Sequence, residues 1–375
     1  MLIFSFVTRD INLNVWDEEV ITLMRKSWWL VSVYSSAHFV VDFACAFLMF
    51  RAISSTPDWY LYLLIYNFCA FALQMPIGVL ADRLNRNFLF AIIGCALTAA
   101  AYAFWSLPLA AVIAAGVGNG LFHIGGGVDV LNISDGKAGA LGVFVSPGAF
   151  GIYFGTILGK GNAKLGAIVV LVLLAAAALV FVMRRKQGEE YVNNAPFSLD
   201  GAASRNVLPA VICFFLVVCL RSYLGLAIEF PWKSSGYWGV ILVCAVVFGK
   251  MAGGFISDRL GAVRTACISL APAALLFLIP HIPIAGVFSM FCFNMTMPIT
   301  LCAVAKVFPG AKGFSFGLLT FGLFLGFLPV YMGATLMSGA SWVFAAIAVA
   351  SVLLLAIGLR KVSRFVNADL PEKGR

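Results

Sequence analysis

Gly78-Val79-Leu80-Ala81-Asp82-Arg83-Leu84 returns 176 residues later as Gly254-Phe255-Ile256-Ser257-Asp258-Arg259-Leu260. Each copy follows one long apolar run and precedes another. Each therefore reads as a short, charged, glycine-started loop between two helices of membrane-spanning length. The separation is close to half of the 375-residue chain, which predicts a duplicated six-helix unit.

Composition sets the solvent. The chain is 62% hydrophobic and 11% charged, against about 25% charge in a soluble domain. A water-soluble fold cannot hide that much apolar surface, so most of the chain faces lipid. In lipid the backbone must satisfy its own hydrogen bonds, which leaves helices or closed barrels. The apolar runs are continuous rather than alternating, which selects helices. Nine cysteines are scattered through apolar stretches without C-x-x-C spacing and read as small buried residues, so no metal site is expected. The run Met1 to Val7 is too short for a cleavable signal, and Arg9, Asp10 and Asp17 to Glu19 follow it.

Twelve spans are expected, at 27–50, 59–81, 87–106, 108–132, 138–159, 163–183, 206–228, 237–257, 263–280, 283–305, 313–336 and 340–360. They divide the chain into an N-terminal segment (1–26), a six-helix bundle (27–183), a central loop (184–205), a second six-helix bundle (206–361) and a tail (362–375). With the N-terminus cytoplasmic, nineteen of the 25 Lys and Arg fall on the cytoplasmic side, four on the other, and Arg221 and Lys250 within spans. That bias accounts for the net charge of +9 without a nucleic-acid partner. It places both copies of the repeated loop, both termini and the central loop in the cytoplasm of a multi-pass plasma (bacterial inner) membrane protein.

Two six-helix halves, a charged central loop, and G-x-x-x-D-R between helices 2 and 3 and again between helices 8 and 9 resemble the major facilitator superfamily. The likeness covers residues 27 to 361. It implies an all-α membrane protein of two pseudo-symmetric bundles. It also implies a conformational latch made of Gly78, Asp82, Arg83, Arg86, Gly254, Asp258, Arg259 and Arg264, in which the two aspartates pair with arginines or cap a neighbouring helix. Asn85 departs from the pattern, standing where Gly is usual, while the second copy keeps Gly261. A narrower set, His38 and Asp42 in span 1, Phe122-His123 in span 4 and Arg221-Ser222 in span 7, is similar to fosmidomycin-resistance-type exporters. Ile124 replaces the proline that often follows that histidine.

Ionisable groups inside a span are costly, so each is a candidate site residue. His38 and Asp42 stand i, i+4 on one helix face near mid-span. They suit proton or substrate handling, with a hydrogen-bonded strut between helices as the alternative. His123 lies in a glycine-rich span with Asn119. The resemblance places that helix at the central cavity, and a satisfied core histidine is the alternative. Asp129 reads as a gate residue or an ion-pair residue. Arg221 cannot deprotonate and must be paired or face water. It would bind a carboxylate or phosphate, or hold an internal acid such as Asp42. Lys250, Asn294 and Tyr34 complete the set, with Thr296, Asn67 and Gln74 as further polar groups. In span 5 the spacing Gly151, Gly155, Gly159 gives a smooth face; by the resemblance a Gly- and Pro-rich helix 5 marks antiporters and packs on helix 8.

These features lead to an expected function: a secondary transporter working by alternating access, exporting a small anionic or zwitterionic solute in exchange for protons. The alternatives are proton-coupled import of an organic anion, or a sensor of the same fold. No cofactor is expected and a proton gradient is the expected energy source. Neither a P-loop nor an H-E-x-x-H is present, so ATP drive and enzymatic activity are not expected. The expected partners are the bilayer and the solute, with a monomer as the working unit.

Overall fold

A computed structural model describes residues 18–187, 195–199, 207–334 and 340–368. The expected N-terminal segment falls outside the described residues up to residue 17, as do most of the central loop and the tail from 369. Among the described residues the secondary structure is helical. Eleven helices are long and apolar enough to cross a membrane: α1 (Ser27–Ile53), α2 (Trp59–Leu84), α3 (Asn87–Phe104), α4 (Pro108–Ile133), α5 (Ala138–Lys160), α6 (Gly166–Arg185), α7 (Val207–Ala227), α8 (Trp238–Leu260), α10 (Pro283–Val307), α11 (Lys312–Tyr331) and α12 (Ser341–Phe365). The twelfth, α9 (Ala262–Leu276), is shorter. The span expected there ran to residue 280; the chain instead leaves the helix in two i→i+3 turns at Leu278 and Ile279. Ile279 precedes Pro280, and the residue before a proline is pushed out of the helical region.

The packing repeats as the sequence repeats. In the first half α1 packs on α5, α3 on α6 and α2 on α4; in the second, α7 packs on α11, α9 on α12 and α8 on α10. The halves meet along two related seams, α2 against α11 and α5 against α8. Helices in lipid gain little from the hydrophobic effect, so close backbone approach through small residues has to hold such seams. At the first seam a Cβ on Gly78 would overlap the Gly313 carbonyl, and one on Gly317 would overlap Gln74. At the second, a Cβ on Gly142 would stand 2.8 Å from the Lys250 carbonyl, and one on Gly254 2.5 Å from that of Ala138.

The repeated motifs, expected as loops, instead form the last two turns of α2 and α8, and they close both seams at one end of the molecule. The Asp82 carboxylate accepts from the backbone N–H groups of Gly313 (2.7 Å) and Phe314 (2.8 Å) at the start of α11. The Asp258 carboxylate accepts in the same way from Ala138 (2.7 Å) and Gly139 (2.8 Å) at the start of α5. A helix N-terminus presents unpaired N–H groups and the positive end of the helix dipole, so a carboxylate there is doubly favoured. Of the two roles expected for these aspartates, the structure shows the helix cap. Arg83 lies instead over the Phe197 ring at 5.2 Å, against the short described piece of the central loop; Arg86, Arg259 and Arg264 are exposed. Asn85 and Gly261 occupy equivalent positions with φ of 51° and 85°. Asn tolerates the left-handed region better than other side chains, so Asn85 accommodates a positive φ, although its ψ of 38° differs from the 151° at Gly261.

Candidate functional site

The site forms where α5 breaks. Ser146-Pro147 interrupts the helix between Val145 and Pro147. Pro147 has no N–H for the Val143 carbonyl, and the Ala149 N–H donates to Ser146 instead (3.3 Å). Four carbonyls ahead of the break each meet a side-chain donor. Gly142 takes the Ser146 hydroxyl (2.5 Å) and Val143 the Ser35 hydroxyl (3.3 Å). Phe144 takes His38 Nδ1 (2.7 Å) and Val145 takes Lys250 Nζ (3.3 Å). The break therefore pins one histidine of its own bundle and one lysine of the other.

His38 leads to the rest. Its Nε2 stands 3.1 Å from Asp42 Oδ2 and 2.8 Å from His123 Nε2. His123 Nδ1 is 2.9 Å from the Asn119 carbonyl, one turn back on α4. The Asn119 side-chain amide donates to Asp42 Oδ1 at 2.8 Å, and His123 Nε2 lies 3.8 Å from the same oxygen. His38, Asp42, Asn119 and His123 are all buried. The i, i+4 pair foreseen in α1 is thus one edge of a four-residue cluster joining α1, α4 and α5. Gly148 makes room for it: a Cβ there would run into the Asp42 carboxylate and the His38 ring. The imidazole nitrogens and carboxylate oxygens of His38, Asp42 and His123 lie within 4.8 Å of one another. Sequence spacing gave no hint of such a set.

Two cations of the second bundle stand nearby. Lys250 is in electrostatic contact with Asp42, His123 and Arg221. Arg221 is buried, and its Nη1 has no hydrogen-bond partner among the described residues. Among those residues neither cation lies within ion-pairing distance of Asp42, whose close charge partners are the two imidazoles.

Other candidates lie elsewhere. Asp129 is fully buried and accepts the Tyr34 hydroxyl at 2.6 Å, with Arg184 and Asn87 close by. This is a separate polar cluster joining α1, α3, α4 and α6. Asn294 donates to Met290 (2.8 Å) and Thr296 to Phe293 (3.1 Å), so both are spent on their own helix. Asn67 and Gln74 likewise bond the carbonyls of Leu63 and Ala70. The glycine stripe of α5 does not face α8: Cβ atoms on Gly151, Gly155 and Gly159 would meet Phe39, Phe43 and Phe47 of α1. Only Gly139 and Gly142 meet α8, while Gly249 and Gly253 of α8 meet α10.

Sequence reading missed the helix starts that Asp82 and Asp258 cap. Gly136-Lys137-Ala138-Gly139 leading into α5 and Ala311-Lys312-Gly313-Phe314 leading into α11 are equivalent. Lys312 also donates to Asn132 Oδ1 at 2.9 Å, across the bundles. The signal was present, offset by one residue from the larger repeat.

No model of a known protein family matches the chain, and no curated protein matches it either. Solved structures do. The Escherichia coli fucose:proton symporter superposes with a TM-score of 0.63 at 14% identity, covering 88% of this chain and 98% of that one. The human organic anion transporter TETRAN gives 0.65 at 15% identity, over 88% and 99%. A bacterial homologue of the iron transporter ferroportin, in an outward-facing state, gives 0.63 at 13% identity, over 89% and 99%. The chain has the all-helical, two-bundle fold of the major facilitator transporters.

Proposed function

We propose that the protein is a proton-coupled secondary transporter that works by alternating access and exports a small anionic or zwitterionic solute. One observation carries the coupling: Asp42 is buried, and its ion-pair partners among the described residues are histidines, not permanent cations. A buried cluster of one carboxylate and two imidazoles changes its net charge with proton supply, which is what coupling to a proton gradient requires. Arg221 and Lys250 supply the positive charge facing it from the other bundle. Arg221, with an unsatisfied nitrogen, is the group for the solute's acidic function.

The bundles 27–183 and 206–361 move as bodies about this site. With the repeated loops on the cytoplasmic side, as the Lys and Arg bias supports, closed latches at Asp82 and Asp258 mean a state shut to the cytoplasm. Export rests on the likeness to fosmidomycin-resistance-type exporters at His38, Asp42, Phe122-His123 and Arg221-Ser222. The α5 stripe of Gly151, Gly155 and Gly159 adds nothing to it, since it packs within its own bundle. We take the working unit to be a monomer in a bacterial inner membrane, without cofactor.

The test is flux in proteoliposomes with an imposed pH gradient, screened over organic carboxylates, phosphonates and anionic antibiotics. Uptake into vesicles whose interior is made acidic supports exchange against protons. Stimulation by an acidic exterior instead gives symport. Flux indifferent to the gradient, with Asp42→Asn behaving as wild type, removes the coupling.

A further inference from the structure

We infer that the coupling proton is held between His38 and His123, in a single Nε2–H···Nε2 hydrogen bond, with Asp42 as its fixed counter-ion. This rests on the transporter reading above and assigns its proton to particular atoms.

The inference follows from counting donors and acceptors. His38 Nδ1 lies 2.7 Å from the Phe144 carbonyl and His123 Nδ1 lies 2.9 Å from the Asn119 carbonyl. A carbonyl only accepts, so both Nδ1 atoms carry hydrogen. A neutral imidazole then has a bare Nε2. Yet the two Nε2 atoms face each other at 2.8 Å. Two lone pairs do not sit at that distance inside a protein without a hydrogen between them. One ring is therefore imidazolium. His38 is the ring that also touches Asp42 Oδ2, at 3.1 Å. A proton on Asp42 in place of the imidazole would leave the two nitrogens still opposed. A single metal ion between them fits less well, since two nitrogens on one tetrahedral ion stand about 3.3 Å apart. Lys250 and Arg221 on the facing bundle disfavour a dication further.

The groups facing the pair are few. Asp42 comes from α1, Asn119 from α4, and Lys250 from α8 with Arg221 behind it; Tyr66 approaches Asp42 from α2. Loss of the proton leaves Asp42 without a compensating charge inside its own bundle, and Lys250 is in electrostatic contact with it. Lys250 belongs to the other bundle, so deprotonation converts an attraction inside one bundle into an attraction between bundles.

The chain has three histidines, and His281 is the third, so ring-¹⁵N-labelled protein gives a resolvable spectrum. The experiment is solid-state ¹⁵N NMR of the full chain in phosphatidylcholine–phosphatidylglycerol bilayers, with His281→Asn as the assignment variant. The expected result is one imidazolium for two rings and an Nε2–Nε2 coupling across the hydrogen bond. Both signals should titrate together. His123→Gln should abolish the coupling and leave His38 titrating alone. Two rings neutral from pH 5 to 9, or two rings titrating independently, would overturn the inference, as would signals that change on adding a chelator. Proton-driven flux with neutral rings sinks the inference and keeps the transporter. A shared proton without flux for any solute screened does the reverse.

Discussion

Asp82 accepts a hydrogen bond at 2.7 Å from the backbone N–H of Gly313, 231 residues further along the chain, and Asp258 repeats the contact with Ala138. One carboxylate from each bundle therefore holds a helix start of the other. A carboxylate at a partly buried helix N-terminus is worth up to about 2 kcal/mol, which is roughly a thirtyfold shift in a two-state equilibrium.

Asp82→Asn is expected to lower the closed population at this face about tenfold. Asp258→Asn should do the same, and the double variant more than either. Spin labels on the α2–α3 and α10–α11 loops report it as a longer distance component. An unchanged distance distribution in the double variant would remove the latch role.

Gly78→Ala puts a methyl group onto the Gly313 carbonyl, while Gly225 has open space around it. Overpacking of this kind costs roughly 1–3 kcal/mol. Gly78→Ala should lower the melting temperature in detergent, and Gly225→Ala should leave it level or raise it. Equal melting curves for the two would mean that the α2–α11 seam is looser than described.

Tyr34→Phe removes the hydroxyl that reaches buried Asp129 at 2.6 Å. An unsatisfied buried acceptor costs about 1–3 kcal/mol. The variant should melt earlier while the pH profile of flux stays in place, because this cluster is separate from His38 and Asp42. A moved pH profile would join the two clusters.

Arg221→Lys keeps the charge and loses the planar fork. If Arg221 meets the solute's acid, affinity should fall about 10- to 100-fold with the melting temperature nearly unchanged. Competition binding with the transported anion measures it, and an affinity within a factor of two of wild type would assign Arg221 to structure alone.

The fold was legible because two independent signals agreed. The Asp82 and Asp258 loops set the pseudo-symmetry, and the apolar run lengths set the helices to within a few residues. At the site, His38 and Asp42 were legible from i, i+4 spacing within one helix. His123 joined them only through a likeness, since nothing local says that α4 will bring it to His38. Tyr34 stands one turn before His38, and one turn was enough to send it to Asp129. Lys250 was placed in a span but not at a partner, because that partner is the Val145 carbonyl beside the helix break, whose usual donor, the Ala149 N–H, bonds Ser146 instead. Unpaired carbonyls belong to a break, and hydropathy does not register one.

Helix α5 carries the Gly139 N–H held by Asp258, the Phe144 carbonyl held by His38 and the Gly148 that makes room for Asp42. From Ala138 to Phe144, ahead of the break, this is about 9 Å of continuous helix. The Asp258 cap and the His38–Asp42 cluster are therefore two ends of the same rod. A tilt of that rod too small to disturb the lipid-facing helices moves both ends together, so neither can change state without straining the other, and no chain of side chains is needed to carry the message.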